Sequence, residues 1–245
     1  KLGLKSFAAE VEASNTTSEA VDGVPGACVV KSVLSLDNAS RFVMNCEALV
    51  FDNAHHPQYQ NRYIDRKEED YRQNDRCVYQ ASDEEVDFLF SRLRQHLPQE
   101  LSMQELGQWR LFGVNDMWRF YKYKAAETKE DADKFRSQHF PPHFDSTTVK
   151  SRSMMSFLSI LLYLSGGEGQ FGGGDTQFIA RNKSVDPVAG QALVFHHVGP
   201  MSHMHCGMPL WKLAADAPPP CKYVLRTDAM YQLVGGETTS PAISP

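Results

Sequence analysis

From Trp109 onward the chain is a succession of short apolar runs, rich in aromatic and β-branched residues and cut apart by glycine and proline. "WRLFGVNDMWRFYKY", "SFLSILLYLS", "GDTQFIAR", "GQALVFHH" and "KYVLRTDAMYQ" each have the length of one strand or one hairpin. The most apolar run, "MMSFLSILLYLS", is shorter than the ~18 residues a membrane-spanning helix requires and reads as a buried strand. Strands do not alternate with helices, and there is no GxGxxG or phosphate loop. The pattern argues against a doubly wound sheet, and a sandwich or barrel is predicted.

The first hundred residues have a different texture. Residues 1–24, including "ASNTTSEAVDG", are small and polar and read as a loose arm. "PGACVVKSVL" predicts a first strand, and "SLDNASRFVMNCEAL" a helix capped by Ser35 or Asp37. Residues 52–80 are crowded with His, Asn, Gln, Asp and Arg and read as a long polar loop. "SDEEVDFLFSRLRQHLP" carries the clearest helix signal. Ser82 caps it, acids fill its first turn, basic residues its last, and Pro98 stops it.

Composition excludes several function classes. The 245 residues carry a net charge of -5, with basic residues scattered rather than clustered. Nothing favours a nucleic-acid backbone or an anionic membrane surface. The profile is that of a soluble globular protein, and no compartment or oligomeric state is specified. A chain that opens on Lys1 reads as trimmed or processed. The five cysteines, Cys28, Cys46, Cys77, Cys206 and Cys221, are odd in number and lack CxxC spacing. Free, packed thiols are expected, including Cys206 and Cys221, whose strand parity points them away from His205 and Lys222.

The chemistry concentrates in "QHFPPHFDSTT". Residues i and i+2 of an extended strand share a face, so His143 and Asp145 can offer one nitrogen and one oxygen to a single cation. Phe144 would point the other way. A lone His-x-Asp arises often by chance, so a third ligand is needed. "VFHHVGPMSHMHCGMPL" supplies His196, His197, His203 and His205 as candidates. Two histidines and one carboxylate suit Fe(II) and leave three adjacent positions open. Zinc is the competing metal, but its catalytic sites need only one open position. Lys222 and Arg226 share a face of the last strand, where either can neutralise a carboxylate. Tyr123 and Tyr163 are candidate phenol donors.

The order "RFYKY", "HFPPHFD", "LLYLSGGEGQFGGGDTQF", "GQALVFHH", "HCGMP", "KYVLRTDAMY" resembles the prolyl 4-hydroxylase-like Fe(II)/2-oxoglutarate dioxygenases over roughly residues 109–231. The resemblance implies a mainly β fold with supporting helices, the double-stranded β-helix (a cupin-like jelly roll). The expected organisation is an arm over 1–24, then one domain over 25–235 with helical support over 35–108 and a jelly-roll core over 109–235, and a tail over 236–245. The resemblance also implies His143, Asp145 and His205 as iron ligands, with His203 as the alternative to His205. Lys222, or else Arg226, would anchor 2-oxoglutarate, with Tyr163 meeting the same distal carboxylate and Tyr123 lining the mouth.

The chain departs from the family pattern in two places. His205 and Lys222 stand further apart than usual, separated by "KLAADAPPP", and a charged insertion, "KAAETKEDADKFRSQ", precedes His143. The insertion reads as a surface excursion or as a lid over the substrate mouth. Asn74, Arg76 and Arg119 are candidates for substrate contacts. The implied chemistry is hydroxylation of an unactivated C–H in a peptidyl (prolyl among others) or small-molecule substrate. It consumes O2 and 2-oxoglutarate and releases succinate and CO2, with ascorbate a candidate auxiliary. The alternative is a non-catalytic jelly-roll binding module that keeps the fold.

Overall fold

A period of two sorts the side chains of the long strands onto two faces, and the architecture follows from what each face buries. The computed structural model describes residues 16–49, 51–53, 74–135, 138–214 and 220–235. The chain begins with β1 (Thr17–Ala20), β2 (Cys28–Lys31), α1 (Leu36–Glu47), β3 (Asp52–Asn53), β4 (Asp75–Gln80) and α2 (Asp83–Leu93). A 3-10 turn at Arg94–His96 leads to β5 (Glu100–Met103), β6 (Gly107–Val114) and β7 (Met117–Lys124). Then follow α3 (Lys129–Asp133), β8 (Phe140–His143), β9 (Val149–Ser151), β10 (Met154–Tyr163), β11 (Gly172–Gly173) and β12 (Thr176–Phe178). The last strands are β13 (Lys183–Val185), β14 (Ala192–His196), β15 (His205–Gly207), β16 (Leu210–Trp211) and β17 (Cys221–Leu233).

Among the described residues, eleven strands form a large sheet with the path β1-β2-β14-β10-β17-β7-β4-β3, to which β5, β6 and β9 are added. A smaller sheet runs β13-β12-β15-β8, and β11 pairs with β16. Every strand ladder is antiparallel. The arrangement is a double-stranded β-helix, a jelly roll braced by helices.

One face of the large sheet packs on the helices. Trp118, Phe120, Leu158, Ile160, Leu225 and Tyr231 cluster there with Phe42 of α1 and Leu89 and Leu93 of α2. Burying each such side chain contributes about 1.5–3 kcal/mol. The opposite face carries Tyr121, Tyr123, Leu161, Tyr163, Phe195 and Val224, which pack against Phe178 and Leu210. Polar and charged residues share that second face: Lys222, Arg226 and Asp228 follow Val224's parity along β17. The metal-ligand candidates lie on this side.

Both predicted helices form where their caps require. Ser35 Oγ accepts from the Asn38 amide at 3.2 Å. The Glu85 carboxylate accepts from the Ser82 amide at 2.8 Å and from the Tyr79 hydroxyl. Three boundaries need correction. The arm expected over 1–24 is, in its described part, the edge strand β1, paired with β2 through a turn in which Gly23 and Gly26 have φ of 73° and 71°. The polar stretch 52–80 contains β3 and β4, which extend the large sheet; its residues 54–73 lie outside the described residues, as do 1–15 and the tail 236–245. The region 35–108 is therefore mixed rather than purely helical support. These strands escape a hydrophobic-pattern reading because edge strands expose much of their surface and tolerate charge. Within the insertion before His143, Lys129–Asp133 forms the short helix α3, capped by Thr128. Among the described residues no helix is long and apolar enough to cross a membrane.

Candidate metal centre

His143 closes β8 and His205 opens β15, and the two are direct register partners in the smaller sheet. Cross-strand partners share a face. Asp145 follows β8 by two positions and turns in beside them. His143 Nε2 lies 3.5 Å from Asp145 Oδ1, and His205 Nε2 lies 3.7 Å from Asp145 Oδ2. One ligand atom from each residue falls within 4.8 Å of the others.

The protons on both rings follow from their second nitrogens. His143 Nδ1 is 2.8 Å from the Pro141 carbonyl, and His205 Nδ1 is 3.1 Å from the His203 carbonyl. A carbonyl only accepts, so each Nδ1 carries hydrogen and a neutral ring presents its Nε2 lone pair to the centre. Burial pushes the His205 pKa down to about 4, which keeps that lone pair available at neutral pH. Burial alone would raise Asp145, but the Arg226 guanidinium holds it well below the usual carboxylate range. His203, the alternative ligand, is turned elsewhere: its Nε2 meets the Pro25 carbonyl at 2.8 Å and its ring stands edge-on to Phe178.

Behind the three ligand candidates lies a buried polar layer. Arg226 Nε is 3.3 Å from Asp145 Oδ2, a charge contact rather than a well-aligned hydrogen bond. Its Nη2 donates to Asp228 Oδ1 at 3.0 Å. Asp228, fully buried, also accepts from Thr148 Oγ1 at 2.8 Å and Asn115 Nδ2 at 3.4 Å. Arg226 is thereby engaged with two carboxylates.

Lys222 is placed differently. It lines a cavity of about 390 Å³, partly open to solvent, which it shares with Tyr121, Tyr123, Thr176 and the three ligand candidates. Its Nζ donates to the Gly174 carbonyl at 2.5 Å and sits over the Tyr123 and Tyr163 rings, at 5.1 and 5.7 Å. Among the described residues it makes no ion pair. Burial lowers its pKa to about 8. The "FGGGDTQF" turn makes this approach feasible: Gly173 and Gly174 adopt φ of 70° and 78°, and a Cβ on Gly173 would meet the Pro209 carbonyl oxygen at 2.7 Å. Tyr163 hydrogen-bonds through its hydroxyl to Thr176 Oγ1 at 2.9 Å.

Asn74, Arg76 and Arg119 do not line this cavity. Asn74 is fully buried just ahead of β4. Arg76 stands opposite Tyr121 on the neighbouring strand, and Arg119 opposite Arg226. Arg119 Nη1 reaches to 3.9 Å from Asp228 Oδ2, which ties it to the buried layer. All five cysteines are free. Cys206 borders the cavity, while its Sγ meets Gln177 Oε1, the side chain of its register partner on β12, at 3.8 Å. Gln177 alternates with Phe178, the partner of His205, so the Cys206 side chain leaves the strand on the other face from His205. Tyr121, Thr176 and Ser159 were not singled out from sequence, and His197 only as one of four candidate ligands, a role the structure gives to His205. Parity with Tyr123 would have found Tyr121, and the turn motif would have found Thr176.

A jelly roll with two imidazoles and a carboxylate converging at the mouth of its cavity thus defines the architecture and its candidate centre. No family model matches the chain, and no curated protein sequence matches it. Solved structures do. A prolyl-4-hydroxylase from Pseudomonas putida aligns over 86% of this chain and 94% of its own, with 18% identity and a TM-score of 0.51. A prolyl hydroxylase from Trichoplax adhaerens, in complex with a hypoxia inducible factor oxygen degradation domain peptide fragment, aligns over 84% of this chain and 83% of its own. Its identity is 15% and its TM-score 0.51. The chain shares their double-stranded β-helix fold.

Proposed function

We propose that this chain is an Fe(II)- and 2-oxoglutarate-dependent oxygenase that hydroxylates an unactivated C–H bond. The observation that carries the reading is the convergence of His143, Asp145 and His205 within 4.8 Å at the mouth of a cavity. The donor set fits the ion: two imidazoles that each present Nε2 and one ionised carboxylate would hold it from one side and leave the opposite side for co-substrate and oxygen. Bound there, iron and 2-oxoglutarate supply the chemistry, in which O2 is consumed, 2-oxoglutarate becomes succinate and CO2, and a substrate C–H becomes C–OH.

The chain's own residues divide the remaining work. His143, Asp145 and His205 hold the cation. Lys222, a desolvated cation that makes no direct ion pair among the described residues and feels Asp175 only at longer range, is the anchor for the distal carboxylate of 2-oxoglutarate. Arg226, already engaged by Asp145 and Asp228, is left to support the metal-binding carboxylate. The Tyr163–Thr176 hydroxyl pair borders the Lys222 end, and Tyr123 caps the ammonium with its ring. A prolyl residue in a peptide is the first substrate to try, a small molecule the second; Arg76 and Arg119 lie on the same sheet face as Tyr121 and are candidates for recognition beyond the cavity.

The test is succinate formation from 2-oxoglutarate by the purified chain with Fe(II) and O2, compared with His143→Ala. Iron-dependent succinate that disappears in the variant supports an oxygenase. Metal and 2-oxoglutarate binding without succinate, with peptide substrates present, would instead identify a binding module.

A further inference from the structure

His197 lies outside the three ligand candidates and does not line the cavity, yet it is buried and both of its ring nitrogens are engaged. Nδ1 is 2.9 Å from Ser159 Oγ, and Nε2 is 3.0 Å from Ser156 Oγ. Ser159 Oγ in turn lies 2.6 Å from Asp145 Oδ2. The direction of every bond can be assigned. A carboxylate only accepts, so the single Ser159 hydroxyl proton goes to Asp145. Ser159 Oγ must then accept from His197, which fixes hydrogen on Nδ1. At the other end the Thr148 amide donates to Ser156 Oγ at 2.8 Å, and the Ser156 hydroxyl proton is free to go to His197 Nε2. The result is one directed chain, from Thr148 through Ser156, His197 and Ser159 to Asp145, with each proton in a single place. Bonds aligned head to tail polarise one another, and in a buried setting each is stronger than in water.

Sequence alternation alone would not build this chain. Ser156 and Ser159 are three apart on β10, so a regular strand would send them to opposite faces. The β10–β17 register shifts between Ser156 and Leu158, and this bulge returns both hydroxyls to the His197 side. The bulge therefore serves the side-chain geometry at Asp145.

We propose that His197 is a positioning residue which, through Ser159, locks Asp145 Oδ2 against the protein and turns Oδ1 toward the cation. Oδ1 faces His143 Nε2 at 3.5 Å and has no other partner among the described residues, while Oδ2, 3.7 Å from His205 Nε2, is also engaged by Ser159 and Arg226. A carboxylate held by one oxygen binds a cation through the other and does not swing to chelate it, which preserves the open coordination positions. This assignment rests on the metal-centre reading given above.

The experiment measures Mn(II), a redox-stable stand-in for Fe(II), binding to the metal-free full-length chain by electron paramagnetic resonance, alongside thermal melts. The unaltered chain should bind Mn(II). His197→Phe should weaken it roughly 10–100-fold, the effect seen when an outer partner of a metal ligand is lost. His197→Asn, whose side-chain amide keeps an N–H near the Nδ1 position, should restore most of the affinity even if its melting temperature stays low. If His197→Phe does not fold, Ser159→Ala removes only the donating hydroxyl and should show the same loss. A folded His197→Phe or Ser159→Ala that binds Mn(II) like the unaltered chain overturns the assignment. So does a His197→Asn as weak as His197→Phe, because the role would then not be donation to Ser159. An unaltered chain that binds no Mn(II) instead removes the metal-centre reading itself.

Discussion

Arg226 Nε stands 3.3 Å from Asp145 Oδ2, both side chains buried, so the carboxylate at the candidate metal centre is already ion-paired within the protein. The pair explains how an acid can remain ionised away from water while waiting for a cation. Removing either partner leaves the other charged and buried. Arg226→Met should therefore destabilise the metal-free chain by about 3–5 kcal/mol. Bound Mn(II) should restore part of that loss, because it supplies a replacement positive charge. Denaturant unfolding with and without Mn(II) checks this; equal deficits in both conditions would show that Arg226 does not compensate Asp145.

The two candidate distal histidines give opposite outcomes. His205→Ala should abolish tight metal binding, since its Nε2 faces Asp145. His203→Ala should keep it, since its Nε2 is given to the Pro25 carbonyl, and should cost stability of about 1–3 kcal/mol for the carbonyl left unpaired. Metal titration of the two purified variants decides between them, and the reverse pattern would reassign the ligand.

Lys222 carries a pH signature. Its pKa of about 8 lies below that of an exposed lysine because burial penalises the ammonium. The unfolded chain therefore holds this proton more tightly, and the penalty on folding is present in full below about pH 8. It is relieved as pH rises from there to the ordinary lysine value of ~10.4. Anchoring needs the charged form, so 2-oxoglutarate affinity of the Mn(II)-loaded chain should hold up to about pH 8 and then fall. The fall should approach tenfold per pH unit, roughly. Lys222→Arg should flatten that fall, because a guanidinium stays charged. Lys222→Ala should lose about 2–5 kcal/mol of 2-oxoglutarate binding while keeping the metal. Calorimetric titration over pH 7–9.5 (a range of ~2.5 units around the shifted value) tests all three statements.

Gly173→Ala tests the turn beneath Lys222. Its φ of 70° is left-handed, and a Cβ would crowd both Trp211 and the Pro209 carbonyl. A stability loss of at least about 1–2 kcal/mol is expected, with weaker 2-oxoglutarate binding as the neighbouring Gly174 carbonyl shifts from Lys222 Nζ. Unchanged stability would show that the turn relaxes without strain.

The strands and the ligand candidates were legible for different reasons. The buried strand Met154–Tyr163 announces itself because burial on both faces leaves a long apolar run, and Cys221–Leu233 does so through its β-branched and aromatic residues despite the charges on one face. His143 and Asp145 were legible because two-residue spacing maps directly onto one strand face. Thr17–Ala20 and Asp75–Gln80 were not, since strands at or near a sheet edge need no apolar pattern to pair. The four histidines of "VFHHVGPMSHMHC" could not be ranked from sequence by spacing alone. What distinguishes His205 from His203 and His197 is which carbonyl or hydroxyl sits behind each ring, and those partners come from distant parts of the chain. The Ser156–Ser159 pair was hidden for a related reason: a bulge that reverses parity leaves no local mark.

The strand β17 pairs with β10 along one side and with both β7 and β6 along the other, and it carries Lys222, Arg226 and Asp228 on one face. Few amides along it face water, so opening it means separating several ladders at once. In amide hydrogen exchange, Val224–Ala229 should be among the slowest-exchanging segments of the chain, opening only with global unfolding. The cationic wall of the cavity would then have no cheap excursion away from its bound shape.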